Sequence, residues 1–188
     1  MGSGVSDDVN DSRVTTRPST STRTRRVAAD RERRATAFHE AGHAVVAWAE
    51  GIRLRSVSIV PTDDTDGRVE HVDPLRGSAI DSNRSDANRL KAERHVRVSL
   101  AGHLAQRKFD RRTVRKWHAQ SDRESAVNVL GHLVQSNREL EAWLDLLSIQ
   151  TEQLLKLHWQ MVRGLAQELM KRNRMGGKEL RDWLNTRA

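Results

Sequence analysis

The chain has 188 residues, a formal net charge of +8 at pH 7 and no cysteine. Its length suits one domain with a terminal segment, since domains usually run roughly 100–150 residues. Without cysteine the chain cannot form disulfides, thiolate metal sites or a catalytic thiol. Any bound metal must therefore be held by imidazole and carboxylate groups.

The basic residues are scattered among acidic ones along the whole chain and do not form one block. Scattered charge is a weak sign of a nucleic-acid partner, so we do not expect nucleic-acid binding as the main function. No apolar run approaches the roughly 20 residues that a membrane helix needs, and the N-terminus has no signal-peptide core. The sequence therefore predicts a soluble protein without a membrane segment, resident in the cytoplasm.

The N-terminal part divides into a tail and the start of a folded domain. Residues 1–29 are predicted to be disordered because Ser, Thr, Asp and Arg dominate and no spaced apolar residues occur. Residues 30–188 form the predicted domain. Its first helix is expected to begin at Asp30, a good N-cap, and to end at Glu50 before Gly51.

A small antiparallel hairpin is predicted next, followed by helices to the end of the chain. Residues 54–60 and 68–72 read as strands joined by a turn. Helices are expected at residues 86–109, from Ser121 onward, over residues 137–173 as one helix or two, and at residues 178–185. The Ser121 helix is inferred from a capping-box pattern with Glu124. The predicted fold class is α+β and mostly helical, with a C-terminal helical bundle.

The segment H-E-A-G-H in the first predicted helix has the spacing of a metal site. His39 and His43 are four residues apart, so both imidazoles lie on one helix face and can reach one ion. Glu40 is placed to take a proton from a zinc-bound water. The alternative is a surface helix with two histidines and a solvated glutamate. The Ala- and Val-rich residues 44–49 favour the metal site, because polar side chains on a buried helix need a reason.

A third ligand must come from outside this helix. The candidates are His71, His95, His103, His118, Asp122, Glu124 and His132. Asp122 and His118 are favoured because they flank the predicted start of a helix. Asp122 could instead be an ordinary acid at the positive helix end, and Glu124 is interpreted as the structural partner of Ser121. The spacing leaves Asp122 and His118 as equal alternatives.

Several segments resemble the peptidase domain of the FtsH-type ATP-dependent zinc proteases. The motif helix T-A-F-H-E-A-G-H-A-V-V is similar to that of the family, and S-D-R-E-S-A resembles the segment that carries its third zinc ligand. The similar segments are residues 36–46, 57–61, 67–72, 98–105, 121–126 and 159–180. The resemblance implies a zincin-like motif helix, zinc held by His39, His43 and Asp122, and Glu40 as the base.

The resemblance also implies an activity, but this sequence differs from the family in one motif. The chain contains no G-x-x-x-x-G-K-[ST] nucleotide-binding motif, so we expect an ATP-independent zinc metalloendopeptidase that cleaves flexible or unfolded polypeptides, with a separate ATPase as a possible partner. An extended substrate is expected to add to the edge strand near residues 67–72. The rival hypotheses are a catalytically silent peptidase-like binding module and a basic nucleic-acid-binding protein that uses the Arg-rich tail.

Overall fold

A computed structural model describes residues 20–63, 65–78, 80, 85–114 and 116–187, with the side chains of these residues except 20–22 and 116–119. In this part of the chain the fold is mostly helical with one small antiparallel sheet, as the sequence predicts at that level. The helices are α1 Thr20–Ala49, α2 Asp86–Phe109, α3 Lys116–Gly131, α4 Asn137–Leu157, α5 Trp159–Arg172 and α6 Gly177–Asn185. The strands are β1 Leu54–Ser58, β2 Arg68–His71 and β3 Arg174–Gly176, and a 3₁₀ turn spans Arg111–Thr113. Among the described helices, none is long and apolar enough to cross a membrane.

Helix α1 is the centre of the packing. Ala37, Ala41 and Ala44 are fully buried on it. Gly42 lets α2 approach closely, because a Cβ at this position would lie 2.7 Å from the carbonyl oxygen of Ala101. Helix α2 therefore packs against α1 at the level of the motif, and this contact brings α3 to the same place.

The expected start of the first helix at Asp30 is wrong. Helix α1 begins at Thr20, so residues 20–29, assigned to the tail, continue the helix. The residues from 23 to 30 are exposed and add nothing to the core. Their Arg and Ala residues are good helix formers, and a helix already nucleated by its buried part extends at little cost. Residues 1–19, the rest of the predicted tail, lie outside the described residues.

The predicted hairpin is confirmed and is part of a three-stranded sheet. Strand β1 lies in the middle and pairs antiparallel with β2 and β3, with Val57 opposite Val69 on one side and Met175 on the other. Strand β3 is not anticipated by the sequence, because three residues cannot show an alternating pattern. The chain enters β3 through Asn173, whose positive φ of 65° ends α5.

The interpretation of Ser121 as a helix cap is wrong. Helix α3 begins at Lys116, so Ser121, Asp122 and Glu124 lie inside it. The Glu124 carboxylate accepts a hydrogen bond from Gln120 Nε2 at 2.8 Å instead of capping the helix. The segment from residue 137 to 173 forms two consecutive helices, α4 and α5.

Candidate metal centre

Three potential ligand atoms from two helices meet in the described structure. His39 and His43 lie one turn apart on α1, with their Nε2 atoms 3.0 Å from each other. From α3, Asp122 Oδ2 lies 3.4 Å from His39 Nε2 and 3.5 Å from His43 Nε2. Among the described residues, these three are the one group of His, Asp or Glu side chains close enough to share a metal ion.

The second ring nitrogen of each histidine is engaged by an acceptor. Gln106 Nε2 donates to the Thr113 carbonyl oxygen at 2.8 Å, so its amide oxygen faces His39 Nδ1 at 3.1 Å and accepts from it. His43 Nδ1 donates to the Val98 carbonyl oxygen at 2.7 Å. These contacts direct both Nε2 atoms toward Asp122, in the way that outer partners orient metal-binding histidines.

Two further observations indicate that these residues fit a divalent metal ion. Asp122 Oδ2 is buried, and its nearest polar atoms are the two Nε2 atoms at 3.4 and 3.5 Å, so a cation bound by the imidazoles would also contact this carboxylate. Gly102 on α2 leaves space beside the imidazoles, since a Cβ there would lie 2.6 Å from His39 Nε2. Two imidazoles and one carboxylate form a donor set that suits zinc and leaves a fourth position open.

The charged groups of this cluster shift one another's pKa values. Burial disfavours the charged form of His43, but the Asp122 and Glu40 carboxylates and the Val98 carbonyl outweigh it and raise the pKa of His43 to about 9. Burial likewise opposes the charged form of Asp122, but His43 and His39 hold the pKa of Asp122 below its usual value. The protonated His43 imidazole and the Asp122 carboxylate thus stabilise each other, and a metal ion bound at His43 Nε2 must displace the proton there.

Glu40 lies beside the cluster and is almost fully buried, with 5% of its surface exposed. Burial, reinforced by the Asp122 charge, raises the pKa of Glu40 to about 7, while His43 and Arg68 lower it. The backbone at Gly67 packs directly against this side chain, because a Cβ there would lie 2.7 Å from Glu40 Oε1. A carboxylate with a pKa near neutrality can both accept and return a proton.

The cluster and Glu40 line a cleft of about 370 Å³. One wall is formed by residues 65–69 and His71, which include most of β2, and the opposite wall comes from α2 and α3. Strand β2 is at an edge of the sheet, since β1 lies between β2 and β3. The cleft therefore runs along a strand edge, where an extended chain can pair.

The other third-ligand candidates whose side chains are described do not join the cluster. His71 and His95 line the same cleft, and His95 Nε2 contacts Ser125 Oγ at 3.1 Å. His132 and Glu124 are exposed. The side chain of His118 lies outside the described residues, so the choice between Asp122 and His118 stays a prediction supported by the geometry of Asp122.

The sequence did not identify Gln106, Thr113, Arg68 or the Val98 carbonyl as parts of the site. Gln106 sits one turn after Gly102 on α2, and its amide could be noticed only as a polar residue on a helix rich in Leu and Ala. Its role depends on the position of Thr113 after the helix ends, and no local pattern gives that position.

Comparison with known proteins does not assign this chain to a family. No protein-family model matches this chain, and no curated protein matches it. The likeness to the FtsH-type peptidase domain therefore remains an expectation based on the segments quoted above.

Proposed function

We propose that this protein is a zinc-dependent metallopeptidase related to the peptidase domain of FtsH-type proteases. The observation that carries the proposal is the convergence of His39 Nε2, His43 Nε2 and Asp122 Oδ2, with the Glu40 carboxylate beside them in one cleft. A binding module needs the three ligands, but it has no need of a buried carboxylate that lines the same cleft beside them.

In this proposal each residue has a defined role. Zinc, when bound by His39, His43 and Asp122, supplies Lewis-acid chemistry that polarises a peptide carbonyl and makes water more acidic. Glu40 accepts the proton of the attacking water and returns it to the leaving amine. Gln106 and the Val98 carbonyl keep the two imidazoles in the orientation that presents Nε2.

The proposed substrate is an extended segment of a flexible or unfolded polypeptide. Such a segment can add to the free edge of β2, with its main chain hydrogen-bonded to the strand and one peptide bond near Glu40. Folded proteins cannot present a strand in this way, so they would have to be unfolded first. A separate ATPase is the possible partner for that step.

The test combines metal analysis with one substitution. Gently purified wild-type protein is expected to hold about one zinc per chain, because three protein ligands and one water complete a single tetrahedral site. Glu40→Gln is nearly isosteric and removes the base, so zinc should stay while hydrolysis of casein falls roughly 100-fold or more. Elemental analysis and a fluorescent casein assay measure the two quantities.

The outcomes separate the hypotheses. If wild type and Glu40→Gln both contain zinc and neither hydrolyses casein, the protein is a catalytically silent peptidase-like module. Equal hydrolysis by wild type and Glu40→Gln would mean that Glu40 is not the base. If neither protein contains a transition metal and added zinc does not bind, the metallopeptidase proposal is wrong.

A further inference from the structure

A second concave surface lies between α1 and α5, and we name it the α1–α5 groove. Its volume is about 710 Å³, and its lining shares no residue with the metal cleft. The floor is apolar. It is formed by Ala37, Phe38, Phe109, Trp159, Ala166 and Met170. Helix α1 therefore has the candidate metal centre on one face and this groove on another.

The rim of the groove is positive. Four cations line it and no carboxylate does: Arg34, Lys108, Arg163 and Lys171. Arg34 is paired with Asp30 at 3.0 Å, and Lys171 with Glu168 at 3.0 Å. Lys108 and Arg163 have no carboxylate partner among the described residues, and both are exposed. Two uncompensated cations beside an apolar floor are complementary to a ligand with carboxylates and an apolar group.

The arrangement of the rings indicates which kind of anion fits. Phe38 stacks on Phe109 with ring centroids 4.1 Å apart, and it also contacts Trp159 at 5.7 Å. Lys108 Nζ lies 4.8 Å over the Trp159 ring. Each of these rings therefore already makes a contact with another ring, and Lys108 lies over Trp159. Nucleotide bases bind single-strand sites by stacking on free aromatic faces, so a polypeptide fits this groove better than a nucleic acid.

The groove has the length of a short helical segment. Its lining residues on α5 recur every three or four positions, at Trp159, Arg163, Ala166 and Met170, and so follow one face of the helix. From Trp159 to Lys171 this face is about 18 Å long at a rise of ~1.5 Å per residue. A helix of about three turns can lie along it with one row of apolar side chains facing the floor.

We propose that the α1–α5 groove docks an acidic amphipathic segment of a partner polypeptide. Apolar side chains of the segment contact the Phe38, Trp159 and Met170 floor, and its carboxylates pair with Lys108 and Arg163. This inference does not depend on metallopeptidase activity, because the groove and the metal cleft have separate linings.

The experiment selects short random peptides displayed on phage against the immobilised full chain. The enriched peptides are then synthesised with a fluorescein label, and their Kd is measured by fluorescence anisotropy. We expect enriched sequences that combine Asp or Glu with large apolar residues at helical spacing. The double variant Lys108→Glu/Arg163→Glu should weaken their binding roughly tenfold or more, because two attractions become repulsions.

A matched double variant controls for net charge. Lys91→Glu/Arg138→Glu changes the charge of the protein by the same amount, at the start of α2 and in the first turn of α4. It should bind the peptides like the wild type. Circular dichroism and the melting temperature verify that both double variants are folded.

Three results would overturn the proposal. One is a selection that enriches no acidic amphipathic peptides. Another is equal weakening in the two double variants, which would assign the effect to net charge. The third is binding of a fluorescein-labelled oligothymidylate to the wild type that the peptides do not displace and that the Lys108→Glu/Arg163→Glu variant no longer shows. That result would make the groove a nucleic-acid site.

Discussion

Asp122 carries a buried negative charge that the described protein does not neutralise by hydrogen bonding at Oδ2. Its nearest polar atoms are the two imidazole nitrogens at 3.4 and 3.5 Å, which are long for strong hydrogen bonds. Asp122 also lies beyond the first turn of α3, where the helix dipole contributes little. The protonated His43 imidazole offsets this charge, and a divalent cation held by the three side chains would take over that role.

Asp122→Ala is therefore expected to weaken zinc binding more than roughly 100-fold, beyond the 10- to 100-fold that the loss of an outer partner costs. Competition with a chromophoric chelator measures the affinity. Asp122→Asn serves as the matched variant, because it keeps the size and one oxygen and removes only the charge. It should also lose metal while the domain stays folded.

His118→Ala tests the alternative ligand in the same assay. We expect a loss of zinc affinity no greater than the roughly 10- to 100-fold that removal of an outer hydrogen-bond partner costs. If His118→Ala strips the zinc and Asp122→Ala retains it, the third ligand is a histidine and the assignment of Asp122 is wrong.

Gln106 is the residue whose role only the structure reveals. Its amide is held at both ends, by Thr113 and by His39 Nδ1, and 4% of its surface is exposed. Such an amide fixes which ring nitrogen of His39 carries the proton, and so leaves Nε2 for a metal.

Gln106→Leu should lower zinc affinity roughly 10- to 100-fold, because His39 loses the acceptor that orients its ring. Gln106→Glu keeps an acceptor toward His39 Nδ1 and should retain affinity within about tenfold of the wild type. Zinc affinity and the melting temperature are measured for both variants. Equal affinity in Gln106→Leu and Gln106→Glu would show that the hydrogen bond does not position His39.

At the level of single residues, the sequence predicts the candidate ligands on α1 much better than the side chains that surround them. His39, Glu40 and His43 can be read from spacing alone, because a helix places positions i and i+4 on one face. Asp122 could be named only together with the family resemblance. Gln106 lies far from His39 in the sequence, and long-range contacts of this kind leave no periodic signal.

At the level of elements, two Ser-x-x-Glu patterns show what a local motif can and cannot predict. At Ser136 and Glu139 the pattern caps α4: the Ser136 hydroxyl accepts from the Glu139 backbone N–H at 3.2 Å. At Ser121 and Glu124 the same pattern lies inside α3. The two segments are alike in local chemistry, and the difference is that α3 has already begun at Lys116.

The strands also show that a local sequence pattern predicts some elements and misses others. The hairpin was predictable because residues 54–60 alternate and a turn-forming segment follows. Strand β3 has three residues, and its pairing with β1 depends on the packing of α5 and α6 on either side of it in the sequence. The structure shortens the first predicted strand to Leu54–Ser58, and Ile59 then donates its backbone N–H to the Asn173 carbonyl oxygen at 2.8 Å.

The N-terminal part of α1 gives a prediction at this scale. The residues from 23 to 30 are exposed, so deletion of residues 1–29 removes little buried surface and leaves Asp30 to cap the shortened helix. Zinc content and melting temperature should stay nearly unchanged, as measured by elemental analysis and calorimetry.

The matched deletion of residues 1–38 tests the same helix at its buried part. It also removes Ala35, Ala37 and Phe38, of which the two alanines are buried, and it should prevent stable folding. A large loss of stability on deleting residues 1–29 alone would mean that the extension packs against the domain.

At the level of the whole molecule, α1 connects the features discussed above. Its motif residues contribute His39, Glu40 and His43 to the cleft, and Phe38 belongs to the α1–α5 groove. The cleft is completed by α2, α3 and β2, which come from distant parts of the chain. Their assembly depends on close helix contacts at Gly42 and Gly102, where any Cβ would collide with a neighbour.

Because the candidate ligands come from α1 and α3, bound zinc should act as a cross-link of the tertiary fold. A ligand that binds only the folded state stabilises it by about 4 kcal/mol when its free concentration is roughly 1,000 times Kd. For a domain of this size 1 kcal/mol corresponds to about 2–4 °C, so saturating zinc should raise the melting temperature by roughly 8–16 °C over chelator-treated protein.

Scanning calorimetry with and without a chelator measures this difference, and His39→Ala provides the control. The variant lacks one ligand but keeps His43, Asp122 and the packing of α1 on α2, so the chelator should change its melting temperature little. Elemental analysis of the same samples verifies that the metal has been removed. If the wild type loses zinc without any fall in melting temperature, the ion does not act as a cross-link between α1 and α3.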